Sequence, residues 1–291
     1  MHINMKYYIV SLGAIFIALG IGILVGFNIN NNEELNKQQA SMISDLDQKF
    51  GVLKDKNDAL KEDLADSELK YKNLVSFIDK NSDMLIANTL ADKKVGIISV
   101  DKNNDFSNAI VDSLKGSNAE VSYNIVINDG VKQPEKMKEL SQKAGTPIKT
   151  TEDVINYVVE SLSDSNGLSK LEHLQDLNII KINYINSAFS SYDTAVISAG
   201  GDSKEPKKNF DALDAYLVGA LQDKEKHVVE VQNSAIKTSY VDYYSKLGVA
   251  TIDNIDQKSG IVSLAILIND EKQVGNFGVL DTAASLLPTV K

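Results

Sequence analysis

An unbroken apolar segment near the N-terminus constrains the fold of this chain more than any other feature. Tyr7 to Phe27 is a run of 21 residues without a charged side chain. At about 1.5 Å per residue, a helix of this length spans the roughly 30 Å hydrocarbon core of a bilayer. A cleavable signal peptide has a shorter apolar region and a small-residue cleavage site, so we predict an uncleaved signal anchor.

The charges beside this segment predict how it is oriented in a cell membrane. Lys6 precedes the run, and Glu33 and Glu34 follow it. Because positively charged flanks stay in the cytoplasm, we expect residues 1–6 to be cytoplasmic and residues 7–27 to form a single transmembrane span. The rest of the chain is then extracytoplasmic, and the lipid bilayer is its first predicted partner.

One face of the predicted membrane helix consists of small residues. Ala14, Ala18, Gly22 and Gly26 recur at a spacing of four, and the last two form a GxxxG pattern. Such a face lets two helix backbones approach closely, which predicts transmembrane packing against another helix. The alternative is that small residues are simply common in membrane spans.

A heptad repeat follows the apolar segment and predicts a coiled coil over residues 33–80. Nine of the eleven a and d positions from residue 43 to residue 78 are apolar, and Asn57 and Ser67 are the exceptions. A strict 3.5-residue repeat of this length favours a coiled coil over an amphipathic helix packed on a globular domain. The predicted interface consists of Ile43, Leu46, Phe50, Leu53, Asn57, Leu60, Leu64, Tyr71, Leu74 and Ile78.

Charges beside the heptad seam leave the partner open between a homo-oligomer and a different protein. In a parallel homodimer, three pairs of g and e positions carry like charges, which costs roughly 2 kcal/mol over six symmetric contacts. Nine apolar layers outweigh this cost. A partner helix of opposite charge order would also fit. The pairs are Lys49 with Lys54, Lys56 with Lys61, and Asp63 with Glu68.

Residues 88–291 predict an extracytoplasmic α/β domain. Strands and helices alternate along it, which predicts a mostly parallel, Rossmann-like three-layer sheet domain after the membrane helix and coiled-coil stalk. We predict strands at 95–100, 120–127, 192–198, 227–231 and 249–252. We predict helices at 105–116, within 134–176 with a capped start at Thr151 and a break at Gly167, at 210–221, at 239–247 and at 260–268.

The composition excludes several classes of function. The chain has no cysteine, which excludes disulfides, thiolate metal sites and a cysteine nucleophile. All 30 basic residues are lysine and the net charge is −10, which argues against nucleic acid as a partner. His2, His173 and His227 share no metal-ligand spacing, and the five methionines are dispersed. We therefore predict neither an enzyme nor a bound cofactor or metal.

One possible ligand site lies at the predicted carboxyl edge of the sheet. Asp101 and Asp105 follow the first strand, and Gly200, Gly201 and Asp202 follow the strand at 192–198. Folds of this class bind ligands at that edge. Helix capping by the aspartates and an ordinary Gly-Gly turn explain the same residues without a ligand.

Three segments of the chain match the pattern of a known protein family. The first is the anchor from Ser11 to Gly22, which leads into the coiled coil. The second is Leu90-Ala91-Asp92-Lys93-Lys94-Val95. The third, which is the most specific, comprises Ala250-Thr251-Ile252-Asp253-Asn254-Ile255-Asp256, Gly260, Gly275-Asn276-Phe277-Gly278 and Leu286-Leu287-Pro288. In these segments the chain resembles the MctB family, the mycobacterial copper transport protein B family.

The resemblance implies an envelope protein that takes part in copper transport or homeostasis, with copper as a partner through the resemblance alone. It implies no copper ligands here, because the matching segments contain no Cys, Met or His. The role of Asp253, Asn254 and Gly275–Gly278 stays open. Three rival functions remain: a scaffold or regulator of cell-wall remodelling enzymes, a small-ligand receptor at the sheet edge, and a channel, which requires a stable oligomer.

Overall fold

A single long helix, α1 (Met5–Ile86), begins the described part of the chain. The computed structural model describes residues 5–290, and for residues 30–33 it describes only the backbone. Residues 1–4 of the predicted cytoplasmic segment, including His2, lie outside the described residues, as does Lys291. The helix runs without interruption because the first proline of the chain is Pro134. The predicted long apolar N-terminal helix is confirmed.

Helix α1 contains the one stretch, among the described residues, that is long and apolar enough to cross a membrane by length and composition. The chain forms two compact units, one up to Lys72 and one from Asn73 onward. The second unit therefore begins inside the range of 33–80 that the heptads predict as coiled coil.

A seven-stranded sheet forms the centre of the second unit, in the order β3-β2-β1-β4-β5-β6-β7. Every neighbouring pair is parallel except β2 and β3, which are antiparallel. The predicted α/β class with a mostly parallel sheet is confirmed. The strands are β1 (Lys94–Ser99), β2 (Glu120–Ile127), β3 (Ile180–Ile185), β4 (Thr194–Ser198), β5 (His227–Val231), β6 (Ala250–Ile252) and β7 (Asn276–Phe277).

Local signals in the sequence mark the starts of two helices of the second unit. Thr150 and Asp153 form a capping box at the start of α4, and Gly167 precedes the start of α5. The segment 260–268, which is predicted as helix, lies within α9. The helices are α2 (Ser107–Leu114), α3 (Pro134–Ala144), α4 (Thr151–Ser163), α5 (Leu168–Asp176), α6 (Pro206–Asn209), α7 (Ala215–Asp223), α8 (Val241–Ser245) and α9 (Lys258–Asn269), with a π-helical turn over Phe210–Asp214.

Two strands are absent from the sequence prediction. β3 has a mixed polar sequence and only one fully buried residue, Ile180, because it lies at the edge of the sheet. β7 has only two residues and depends on the backbone of β6 for its hydrogen bonds. The segment predicted as the third strand, 192–198, is therefore the fourth strand in chain order.

Each face of the sheet carries its own hydrophobic core. On β5, Val228 packs into the core under α4, α5 and α7, while Val229 and Val231 pack into the opposite core with α2 and α9. Strand side chains alternate between faces, so a parallel strand that is covered on both sides becomes almost wholly buried. Ile78 and Ile86, from the C-terminal end of α1, belong to the second core.

Candidate functional site

The heptad seam is exposed along the first unit and just beyond it. Phe50 and Leu60 are both 67% exposed, and Leu74 is 48% exposed. Asn57 also lies on the exposed surface. These residues repeat at 3.5-residue intervals on one helix, so they form one apolar stripe. The exposed seam residues are Ile43, Leu46, Phe50, Leu53, Asn57, Leu60, Leu64, Tyr71 and Leu74.

Ile78 departs from this pattern and its assignment to the seam is corrected. The heptads place it at the last a position, but its side chain is only 2% exposed and packs with Ile86, Leu90 and Val95. A core-facing stripe of an amphipathic helix has nearly the same spacing as a coiled-coil seam. The sequence therefore does not mark where the stripe stops facing solvent and begins to face the core.

The small residues of the apolar segment also lie on one exposed face of α1. Ala14, Ala18, Gly22 and Gly26 are all exposed. A Cβ atom at Gly22 or Gly26 would have no neighbouring atom within 4 Å. The face is therefore open to another helix.

A polar cleft of about 470 Å³ lies at the carboxyl ends of β1 and β4. The chain leaves β1 toward β2 on one side and later returns through β4 on the other, so this is the point where the strand order reverses. Ligands bind at such points in open α/β sheets. The lining residues are Val100, Asp101, Asn103, Asn104, Asp129, Lys132, Gly200, Gly201, Asp202, Ser203, Asn209, Leu213, Asp214 and Tyr240.

The fold brings four of the five predicted sheet-edge residues to this cleft. A Cβ atom at Gly201 would lie 2.8 Å from Oδ2 of Asp101, so the absent side chain permits this close approach. Gly200 has a φ of 90°, and Asp202 accepts a hydrogen bond from Lys237 (2.9 Å). Asp105 is not among the lining residues, and its carboxylate accepts from the N–H of Ser107 at the start of α2.

The Gly-Gly pair does not form a phosphate loop. The N–H of Gly201 donates to the carbonyl oxygen of Thr238 (3.2 Å), and the N–H of Thr238 donates back to Gly201 (2.9 Å). A phosphate cradle requires free N–H groups that point at the ligand. Here the N–H of Gly201 is occupied by the protein itself.

Asp214 is the deepest acidic residue of the cleft, and sequence analysis misses it. It is 3% exposed, and its Oδ1 accepts a hydrogen bond from the hydroxyl of Tyr244 (2.7 Å). Burial raises the pKa of Asp214 to about 7, although the hydrogen bond from Tyr244 and the charge of Lys132 act in the opposite direction. The π-helical turn that contains Asp214 is the kind of irregularity that often occurs at functional sites. No sequence pattern marks it.

A second buried acid, Glu230, lies on the central strand β5. It has no exposed surface, and neither carboxylate oxygen has a hydrogen-bond partner within residues 5–290. Burial raises the pKa of Glu230 well above its usual value, and the charges of Asp214 and Asp253 act in the same direction. Burial therefore favours the protonated form of Glu230 over the carboxylate.

Asp253 and Asn254, in the most specific of the family-like segments, make hydrogen bonds to later parts of the chain. The carboxylate of Asp253 accepts hydrogen bonds from the N–H groups of Val279 (2.7 Å) and Leu280 (3.1 Å). Asn254 donates to the hydroxyl of Ser259 (2.9 Å) at the start of α9. Asp253 and Asn254 thus have structural roles, since they fasten β7 and α9 to the end of β6.

An apolar groove of about 640 Å³ lies within the second unit. The C-terminal end of α1 forms one wall, with Leu74, Phe77 and Leu85. Helix α9 contributes Ile266, and the C-terminal segment contributes Leu287. Leu287 and Pro288, which belong to the family-like segments, therefore line the same groove as the C-terminal end of α1.

The described residues offer copper few soft ligands. Nε2 of His227 donates to the carbonyl oxygen of Leu267 (3.1 Å), and burial lowers the pKa of this histidine. Met137 is buried in the core, while Met42 and Met84 are exposed on α1. Within residues 5–290, no group of three or more His, Cys, Asp or Glu side chains is placed to hold a metal ion.

Comparison with known proteins agrees with the resemblance of the three segments. No individually curated protein matches the chain. One family model, described as copper transport outer membrane protein, MctB, matches residues 2–288. Because this match covers nearly the whole chain, the protein belongs to the MctB family.

Proposed function

We propose that this protein is a single-pass envelope protein that serves copper transport or homeostasis by assembly with other proteins, not by catalysis. The apolar part of α1 anchors it in a cell membrane, and the heptad seam binds a second helix. The α/β unit lies outside the cytoplasm, in the orientation that Lys6 favours over Glu33 and Glu34. Its membership of a copper transport family supports the cellular role.

The exposed seam is the observation that carries this proposal. Eight large apolar side chains between Ile43 and Leu74 are each at least 48% exposed. Burial of one such side chain contributes about 1.5–3 kcal/mol, so a seam of this size left in water is a large unfavourable surface. A contiguous apolar stripe of this kind marks a surface for another protein.

The charges beside the seam bear on the identity of the partner. Lys61 contacts Asp58 within its own helix (3.8 Å), and Lys70 contacts Asp66 (2.7 Å). Such exposed pairs are weak, so they do not cancel the repulsion that like-charged g and e positions produce in a homodimer. A homodimer is therefore stable but not optimised, and a second protein with the opposite charge order binds the same seam better.

In this function, copper is the cargo of a transport system of which this protein is one component. The nitrogen and sulfur ligands that copper prefers are scattered over separate elements of the described chain. We therefore place the copper ligands on a partner, and assign this chain the role of anchoring and positioning that partner. A partner that remodels the cell wall is the second candidate, since the same seam would recruit it.

Cysteine cross-linking tests the seam directly, because the chain has no native cysteine. Leu60→Cys places a thiol at a d position, and Glu62→Cys places one at the outward f position two residues away. If the partner is a second copy of the chain, oxidation of the membranes yields a disulfide-linked homodimer from Leu60→Cys and none from Glu62→Cys. Equal cross-linking of both variants would contradict the seam.

A heterotypic partner gives a different result in the same membranes. A bifunctional thiol–amine cross-linker at Leu60→Cys then yields a product with a second polypeptide, and the homodimer band is absent. If Leu60→Cys gives neither product while the chain is folded and inserted, the seam has no partner and the proposed assembly is wrong.

A further inference from the structure

The cleft at the carboxyl ends of β1 and β4 has the location and size of a small-molecule site. Its volume of about 470 Å³ falls within the range of roughly 300–1,000 Å³ that ligand pockets occupy. Its bottom is built from buried groups, since Asp214 is 3% and Tyr240 is 5% exposed. The proposed membrane assembly makes no use of this cleft.

The outer charges of the cleft are neutralised by lysines outside its lining. Asp129 pairs with Lys102, and Asp202 pairs with Lys237 (2.9 Å). These four side chains are 47–77% exposed, so they form a solvated rim. The rim therefore offers no strong net field to attract a charged ligand.

The inner charges are balanced as well. Lys132 is the one cation among the lining residues, and its positive charge acts on the carboxyl group of Asp214. Asp214 is protonated in much of the population near neutral pH because it is buried. An anion would meet Asp101 and the occupied N–H of Gly201, and a compact cation would compete with Lys132. A neutral ligand fits this balance best.

The inner polar groups combine acceptors and donors at close spacing. Asp101 accepts from the backbone N–H of Asn103 and from Nδ2 of Asn104, both at 2.8 Å, so its carboxylate is held in place. Asn209 donates to the hydroxyl of Ser203 (2.8 Å). Fixed carboxylate, amide and hydroxyl groups pair well with adjacent hydroxyls, each of which both donates and accepts.

We propose that this cleft binds a small neutral polyhydroxylated molecule, of the size of a mono- or disaccharide. Asp101 and Asn209 would hold its hydroxyl groups, and the buried Tyr240 would form part of the floor beneath them. The lining is too polar for a lipid, and the acidic side chains disfavour a phosphate.

The test uses the full chain in lipid nanodiscs, because maltoside detergents would compete for the site. The probes are glucose, N-acetylglucosamine, maltose and myo-inositol, with putrescine and inorganic phosphate as charged comparators. Saturation-transfer NMR detects binding, and titration gives the dissociation constant. We expect saturable binding of at least one neutral probe, and none of the two charged compounds.

Variants assign any binding to the cleft. Asp101→Asn should weaken binding by about tenfold or more, because it removes a hydrogen bond to a charged group. Asn209→Ala should also weaken it, whereas Asp211→Asn should change it less than twofold, since Asp211 lies outside the cleft and pairs with Lys207. Unchanged melting temperatures show that the variants are folded.

Three results would overturn the proposal. The first is that no neutral probe binds. The second is that putrescine or phosphate binds in preference to them. The third is that a neutral probe binds with the same affinity to Asp101→Asn and Asn209→Ala as to the parent chain. The cross-linking of the helix seam is unaffected by any of these outcomes, so the two proposals fail separately.

Discussion

The carboxylate of Asp253 occupies the space in which Gly278 would carry a side chain. A Cβ atom at Gly278 would lie 2.9 Å from Oδ2 of Asp253 and closer still to Oδ1. Those oxygens are held by the N–H groups of Val279 and Leu280. Gly278 also has a φ of 139°, a conformation that side chains rarely adopt. The two residues together fix the C-terminal segment against the end of β6.

Gly278→Ala should lower the free energy of unfolding by about 2–4 kcal/mol. The substitution adds backbone strain of about 1–3 kcal/mol and a clash with a carboxylate that cannot move away. Gly145→Ala is the control, since Gly145 also has a positive φ (68°) but no atom within 4 Å of its Cβ position. Urea unfolding followed by tyrosine fluorescence measures both, and equal losses would contradict the proposed contact.

The sequence marks Asp253 and Gly278 as family-like but does not reveal this contact. The two residues are 25 positions apart, and β7, which brings them together, has only two residues. Elements with strong local sequence signals are easier to predict. The apolar run of β1, the alternation of β2 and the capping box of α4 each depend on neighbouring residues, so their structures follow from the sequence.

The cleft likewise contains residues whose position follows from the sequence and one residue whose position does not. Asp101, Gly200, Gly201 and Asp202 follow parallel strands, and the carboxyl ends of such strands meet at one edge of a sheet. Their meeting in space was therefore predictable. Asp214 was not, because its position depends on a π-helical turn and on a hydroxyl from α8 that no spacing in the sequence indicates.

Ile78→Ala and Leu64→Ala should have different effects, because Ile78 lies in the core of the α/β unit and Leu64 lies on the helix seam. Ile78 is 2% exposed, so its truncation should destabilise the second unit by about 2–4 kcal/mol. Leu64 is 59% exposed, so Leu64→Ala should leave the unfolding of that unit unchanged while it weakens association. Tyrosine fluorescence reports the unfolding, and cross-linking of Leu60→Cys reports the association. A reversal of the two effects would place Ile78 on the seam.

Asp214→Asn should stabilise the protein more at pH 8 than at pH 5. The pKa of Asp214 is about 7 in the folded chain against an ordinary value of 3.8, so the unfolded state loses its proton first. This difference in pKa lowers the free energy of unfolding progressively as the pH rises from 3.8 to 7. The total loss is about 4 kcal/mol, and less than half of that loss has occurred at pH 5. The amide removes the charge and keeps an acceptor for Tyr244.

Melting temperatures at the two pH values measure this effect. Asp211→Asn is the matched control, because Asp211 lies in the same turn but is 52% exposed and paired with Lys207. Its substitution should give a shift of less than a degree or two at either pH, as surface substitutions usually do. A stabilisation by Asp214→Asn that is the same at pH 5 and pH 8 would show that the carboxyl group is not titrating between them.

Copper binding to the purified full chain should be weaker than micromolar for both Cu(I) and Cu(II). His227 already donates to the carbonyl oxygen of Leu267, and no cluster of three metal-binding side chains occurs within residues 5–290. Competition with a calibrated chelator measures the affinity, and His173→Ala and His227→Ala serve as paired variants. Stoichiometric binding tighter than micromolar that both variants reduce would place copper on this chain. Weak binding that neither variant changes would direct the search for copper ligands to the proposed partner of the seam.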